Sequence, residues 1–194
     1  IESYQKAIEQ NPNYLQAYYN LGVALQQSGQ IDAAINIYKK MINIPAENKT
    51  KKADYFLVNA YNNLGYLFAS KNQVESAIYT LQVALDKFNN ESILQNNLGK
   101  IFLEIGELKQ AIYHFQQAIM LDSENYIFHQ NIGKAFQLLN LHQDAIESFK
   151  RAIQLQPDSI FAESSLGESL LFVGELKYAI ACWKSADKQS DIFI

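Results

Sequence analysis

The chain has 194 residues, 48% of them hydrophobic and 19% charged, and a formal net charge of −4. That is long and apolar enough to bury a core, but a mildly acidic chain whose one arginine is Arg151 is poorly equipped to grip phosphate backbones. No apolar run approaches the roughly 20 residues that span a bilayer, the opening residues do not read as a signal peptide, and Cys182 has no second cysteine to pair with.

Taken from the N-terminus, the first clear periodicity is Tyr18, Leu21, Gly22 and Leu25, spaced i, i+3, i+4, i+7. This is one face of an amphipathic helix. Ala34, Ile35, Tyr38 and Met41 repeat the spacing and predict a second helix. The signature then returns. Leu64-Gly65 is followed by Ala77-Ile78, Leu81 and Ala84, and Leu98-Gly99 by Ala111-Ile112, Phe115 and Ala118. Ile132-Gly133 is followed by Ala145-Ile146, Phe149 and Ala152, and Leu166-Gly167 by Ala179-Ile180, Trp183 and Ala186. After one wider interval, the period is about 34 residues, the mark of stacked two-helix repeats.

Punctuation fits the same frame. Five glycines sit beside the Leu or Ile of a first helix, where a missing Cβ lets paired helices approach. Gly29, Gly106 and Gly174 fall seven residues later, where a helix is expected to end in a left-handed conformation. The remaining two units carry Asn72 and Asn140 there, and Asn is the next most tolerant residue. Pro12, Pro45 and Pro157 each fall just past a second helix. The wider interval places extra residues around Ile44 to Leu57, which predicts a longer loop, basic with Lys49, Lys51 and Lys52, and an early start to the next helix.

This pattern resembles the tetratricopeptide repeat, a helix-turn-helix unit of this period with small residues at its helix contacts. The resemblance covers nearly the whole chain. It implies an all-α, right-handed superhelical solenoid of antiparallel helix pairs. The expected division is a truncated repeat's second helix in 1–14, repeat 1 plus the insertion in 15–57, and repeats in 58–91, 92–125, 126–159 and 160–194. Starting mid-repeat, and with Ile1 rather than Met, the chain is expected to be a piece of a longer protein. Met41 departs from the small residue usual at its position, and His129 from the usual bulky apolar one, where a packed core histidine is expected.

In this family the first helices line a concave face. A helical stripe at unit positions 2, 6, 9 and 13 is expected to face the groove, flanked by positions 5 and 12. Position 6 reads Asn20, Asn63, Asn97, Asn131 and Ser165. Asn is a mediocre helix former, and its carboxamide both donates and accepts, so a row of them suits the backbone of an extended peptide. It resembles the asparagine ladder inside the tetratricopeptide superhelix of O-linked N-acetylglucosamine transferase. The bland alternative is duplication in an Asn/Gln-rich chain. Asn62, Asn96 and Gln130 at position 5 are weaker candidates.

Position 9 contributes Tyr66, Lys100 and Lys134, with Val23 and Glu168 in the outer units. The two lysines are expected either to meet acidic ligand groups or simply to be solvated. Position 2 holds no Lys or Arg, which disfavours the carboxylate clamp of chaperone-binding members of the family. Gln16, Gln26, Gln27, Asn59 and Ser70 give way to Ile93, Leu103, Ile127, Leu138, Phe161 and Phe172, predicting a polar early groove and an apolar later one. Leu171 and Phe172 also fit a surface that a further repeat would cover.

Catalytic patterns are missing. His114, His129 and His142 occupy different repeat positions without metal-ligand spacing, and every glycine has a repeat role, leaving none for a phosphate loop. The expectation is a non-catalytic scaffold without cofactor or metal, cytoplasmic, binding a protein or peptide partner and neither nucleic acid nor membrane. Self-association through uncapped ends is a further expectation. The alternatives are the substrate-recruiting arm of a larger enzyme such as a glycosyltransferase, and a helical-repeat RNA reader, which the charge balance disfavours.

Overall fold

The computed structural model describes residues 1–45 and 50–190; Lys49 of the anticipated basic loop lies outside them. Among the described residues there are eleven helices and no strand. The fold is all-α, built of antiparallel helix pairs. The chain divides into two compact units, Ile1–Asn90 and Glu91–Ile194.

The first unit contains α1 (Glu2–Gln10), α2 (Leu15–Gln27), α3 (Ile31–Ile42), α4 (Lys51–Ser70) and α5 (Val74–Lys87). Each helix touches the next in sequence as far as α5, and α2 also touches α4. Ala34, Tyr38, Met41, Leu64, Leu67, Ala77 and Leu81 are buried between them. Burial of such side chains, at about 25 cal/mol per Å² of apolar surface, is what holds helices too short to persist alone.

The turn from α2 to α3 shows why the pairing residues recur. Gly29 sits at φ +75°, and Gln30 N–H donates to the Leu25 carbonyl at 2.9 Å. This six-to-one bond satisfies a carbonyl the helix would otherwise leave open. Asn72 does the same after α4 at φ 59°, with Gln73 N–H on Phe68 O at 2.9 Å. Within each pair a glycine faces a large side chain. A Cβ added to Gly22 would lie 2.5 Å from Tyr38 Cε1, and one added to Gly65 would lie 2.9 Å from Leu81.

The early start expected of the helix after the insertion is present, and it reaches further back than expected. Helix α4 has 20 residues where α2 has 13, and Lys51 and Lys52 belong to its first turn rather than to a loop. Thr50 caps it, its hydroxyl accepting from Ala53 N–H at 3.1 Å. The added turns are anchored by Phe56 against Tyr19, ring centroids 5.6 Å apart, and by buried Leu57.

The second unit contains α6 (Ser92–Glu104), α7 (Leu108–Leu121), α8 (Tyr126–Leu138), α9 (His142–Leu155), α10 (Ile160–Phe172) and α11 (Leu176–Ser190). Sequence neighbours touch throughout, and α6·α8 and α8·α10 make the first-helix layer. Ala111, Phe115, Ile132 and Ala135 form one buried cluster, and Ala145, Ile146, Phe149, Ala152, Ala162, Leu166, Leu170 and Ala179 another. Phe115, Phe149 and Trp183 face Gly99, Gly133 and Gly167. His129 departs from its expected core role. It is half-buried in the first turn of α8, its Nε2 2.9 Å from the Ser123 carbonyl, because an imidazole can satisfy a loop carbonyl that an aliphatic residue cannot.

Candidate functional site

In the first unit the expected site residues lie on α2 and α4. Asn20 is half-buried and makes no side-chain hydrogen bond among the described residues. Asn63, also half-buried, donates from Nδ2 to the Tyr38 hydroxyl at 3.0 Å. Burial pushes the Tyr38 phenol up to about 12, so it stays a neutral hydroxyl that needs a partner of this kind. One role of Asn63 is therefore internal, joining α4 to the buried ring of α3. Asn62 is half-buried and engaged. Asn59 donates to the Tyr55 carbonyl at 2.7 Å, and Tyr66, one turn beyond Asn63, is 60% exposed.

In the second unit the carboxamides form a connected set. Asn131 Nδ2 donates to Asn96 Oδ1 at 2.7 Å, and Asn96 Nδ2 donates to Asn97 Oδ1 at 3.3 Å. Asn96 is buried, so the expected border residue is instead the hub tying α8 to α6. Gln130 donates to the Ser159 hydroxyl. Lys100 is exposed, while Lys134 is half-buried with Nζ 3.4 Å from Gln137 Oε1. Gln137 Nε2 in turn donates to Ser165 O and Ser169 Oγ, both at 2.9 Å. Gln137 stands at flanking position 12 of its unit. Its signal was a carboxamide opposite the small, hydroxylated pair Ser165 and Ser169.

The apolar character expected of the later first helices is present in this unit. Ile93, Ile127, Leu138, Phe161 and Phe172 are exposed large hydrophobics, whereas Leu103 is half-buried against the Ala111 and Phe115 cluster. In the first unit the corresponding Gln16, Gln26 and Asn59 are half-buried, and Gln27 and Ser70 exposed.

The three histidines are kept apart by different packing. His114 stacks on Phe102 and lies 2.8 Å from Gln95 Oε1, while His142 stacks on Phe172 with centroids 4.4 Å apart. Among the described residues no group of three or more His, Cys, Asp or Glu is placed to hold a metal ion, and no helix is long and apolar enough to cross a membrane. Burial pushes the Cys182 thiol up, away from the thiolate that a nucleophile needs.

Stacked antiparallel pairs with glycine opposite a large apolar residue are the geometry of tetratricopeptide repeats, and such repeats are recognised over parts of the chain. Tetratricopeptide-repeat models match residues 3–36 and 127–159, and a TPR-repeat model matches residues 99–140. Among solved structures, the chain is similar to MamA, with a TM-score of 0.75 at 24% identity over 88% of this chain and 94% of that one. It is also similar to MamA 41-end from Desulfovibrio magneticus RS-1, with a TM-score of 0.76 at 15% identity over 91% and 95%. YrrB, described as a TPR protein with an unusual peptide-binding site, aligns with a TM-score of 0.70 at 19% identity over 96% and 91%. At these identities the likeness is one of fold. No curated protein matches the sequence.

Proposed function

We propose that the chain is a non-catalytic scaffold whose first-helix faces hold extended partner-protein backbone, with Asn20 and Asn63 beneath it in the first unit and Asn97 and Asn131 beneath it in the second. The observation that carries the reading is on α6, α8 and α10. There, Ile93, Ile127 and Phe161 leave large apolar side chains exposed on the same helices that present the polar sixth position. Exposed apolar residues beside oriented polar groups are what a binding surface needs. The peptide-binding site named for YrrB gives the same fold a precedent. Bonds from Asn63 and Asn131 to their neighbours orient each carboxamide and use one of its two amide hydrogens, so the oxygen and the other hydrogen are what a segment would meet.

Site-specific photo-crosslinking tests this. A crosslinker replacing Ile127 should capture a partner from native lysate, and one replacing Tyr113, exposed on the second helix α7, should not. Capture through position 113 alone would move the site off the first helices.

A further inference from the structure

The first-helix layer of α6, α8 and α10 carries more than a generic groove. Three rows cross it, each residue one repeat from the next. Ile93, Ile127 and Phe161 form an apolar row, exposed by 51%, 42% and 49%. Asn97, Asn131 and Ser165 form a polar row beside it. Lys100, Lys134 and Glu168 form a charged row whose sign changes at its last member. Along a helix, the polar row stands about 6 Å from the apolar row and about 4.5 Å from the charged one. A chain running perpendicular to the helices over the polar row would have one wall of each kind.

The spacing along such a chain is set by helix packing, roughly 8–10 Å between neighbouring axes. A polyproline-II segment has three residues per turn and advances about 9 Å per turn, so residues i, i+3 and i+6 keep one side and keep step with the helices. A β-strand covers a similar distance in three residues, but its side chains alternate, so i and i+3 point to opposite walls.

The charges are available. Among the described residues Lys100 and Glu168 make no ion pair, and the contact of Lys134 is with the Gln137 oxygen, itself oriented by Ser165 and Ser169. Glu104, also on this face, is exposed in the last turn of α6 and makes no ion pair among the described residues; it lies beyond the charged row, at the helix end away from Ile93.

We infer that residues 91–190 select a polyproline-II partner segment with apolar side chains at every third position and a parallel row of two acidic groups and one basic group. This rests on the groove reading above and adds the partner's chemistry. The acidic pair lies over α6 and α8, and the basic group over α10.

The test uses the whole chain and labelled nine-residue peptides, read by fluorescence anisotropy. The matched probes are Leu-Pro-Glu-Leu-Pro-Glu-Leu-Pro-Lys and its counterpart with the Leu-Pro-Lys triplet first, because either chain direction must be allowed. The control probes exchange every Glu and Lys. At low ionic strength one matched peptide should bind at least about tenfold more tightly than its inverted control, and the ratio should shrink as salt is added. The Lys100→Glu/Lys134→Glu double variant, with helicity unchanged, should reverse the preference. Equal affinity for matched and inverted peptides, or binding of none, overturns the inference. If charge is without effect but Ile127→Ser weakens both probes, the groove reading survives alone. If probes bind and neither Ile127→Ser nor the lysine variant changes it, both readings fall.

Discussion

At the scale of single residues, Asn131 and Asn20 occupy one repeat position but differ in work. Asn131→Ala would leave the oxygen of buried Asn96 without its donor, and is expected to cost about 1–2 kcal/mol in urea unfolding. Asn20→Ala, losing no side-chain hydrogen bond among the described residues, should stay within about 0.5 kcal/mol of the parent. Equal costs would mean that the bond to Asn96 contributes nothing. The row of asparagines was legible in the sequence because recurrence needs no structure. Their internal partners were not, because the Tyr38 hydroxyl and Asn96 come from other helices. His114 gives a pH signature. Burial holds its pKa below 6.5, so below that pH the unfolded chain binds a proton the folded one resists. Stability should therefore be full above 6.5, fall as pH drops toward the folded pKa, and then level off. In His114→Gln this part of the decline should vanish from a series of denaturation curves.

At the scale of elements, helix ends are the most legible feature and helix beginnings the least. Gly106 and Gly174 end α6 and α10 at φ +81° and +85°, and Asn140 ends α8 at φ 59°, as glycine and asparagine placement foretold. Substituting Gly106→Asn should be nearly neutral in thermal melts, while Gly106→Ala should cost about 1 kcal/mol. Space is not the reason, since nothing lies within 4 Å of an added Cβ; the cost is left-handed backbone strain. The start of α4 was not legible to the residue. Its nucleus is the Thr50 cap and the Phe56–Tyr19 contact, and the latter depends on a partner in α2. Helix α1 marks the other extreme. It buries no residue and has no side-chain cap bond, so its amides should exchange with solvent faster than those of α5, where Ala77, Leu81 and Ala84 are buried. Protection of α1 equal to that of α5 would contradict this account.

At the scale of the molecule, contacts within each unit join near neighbours in sequence, so stability is expected to add from adjacent pairs. The lone tryptophan, Trp183, reports on one such pair, its Nε1 donating to the Ser164 carbonyl at 3.3 Å. Leu170→Ala, in the helix paired with it, should lower the urea midpoint seen by tryptophan fluorescence, corresponding to the full loss of roughly 2–5 kcal/mol for a buried leucine. Leu94→Ala in α6 should move that midpoint less while shifting the helical circular dichroism. Equal movement would show that the second unit unfolds as one. The long α4 has a different consequence. Repeats of one backbone geometry create a vernier problem, because a partner backbone laid over one first helix could also lie over the next. Within the first unit, a helix of about 30 Å beside one of about 20 Å is a fiducial mark, making these two first helices sterically unlike each other.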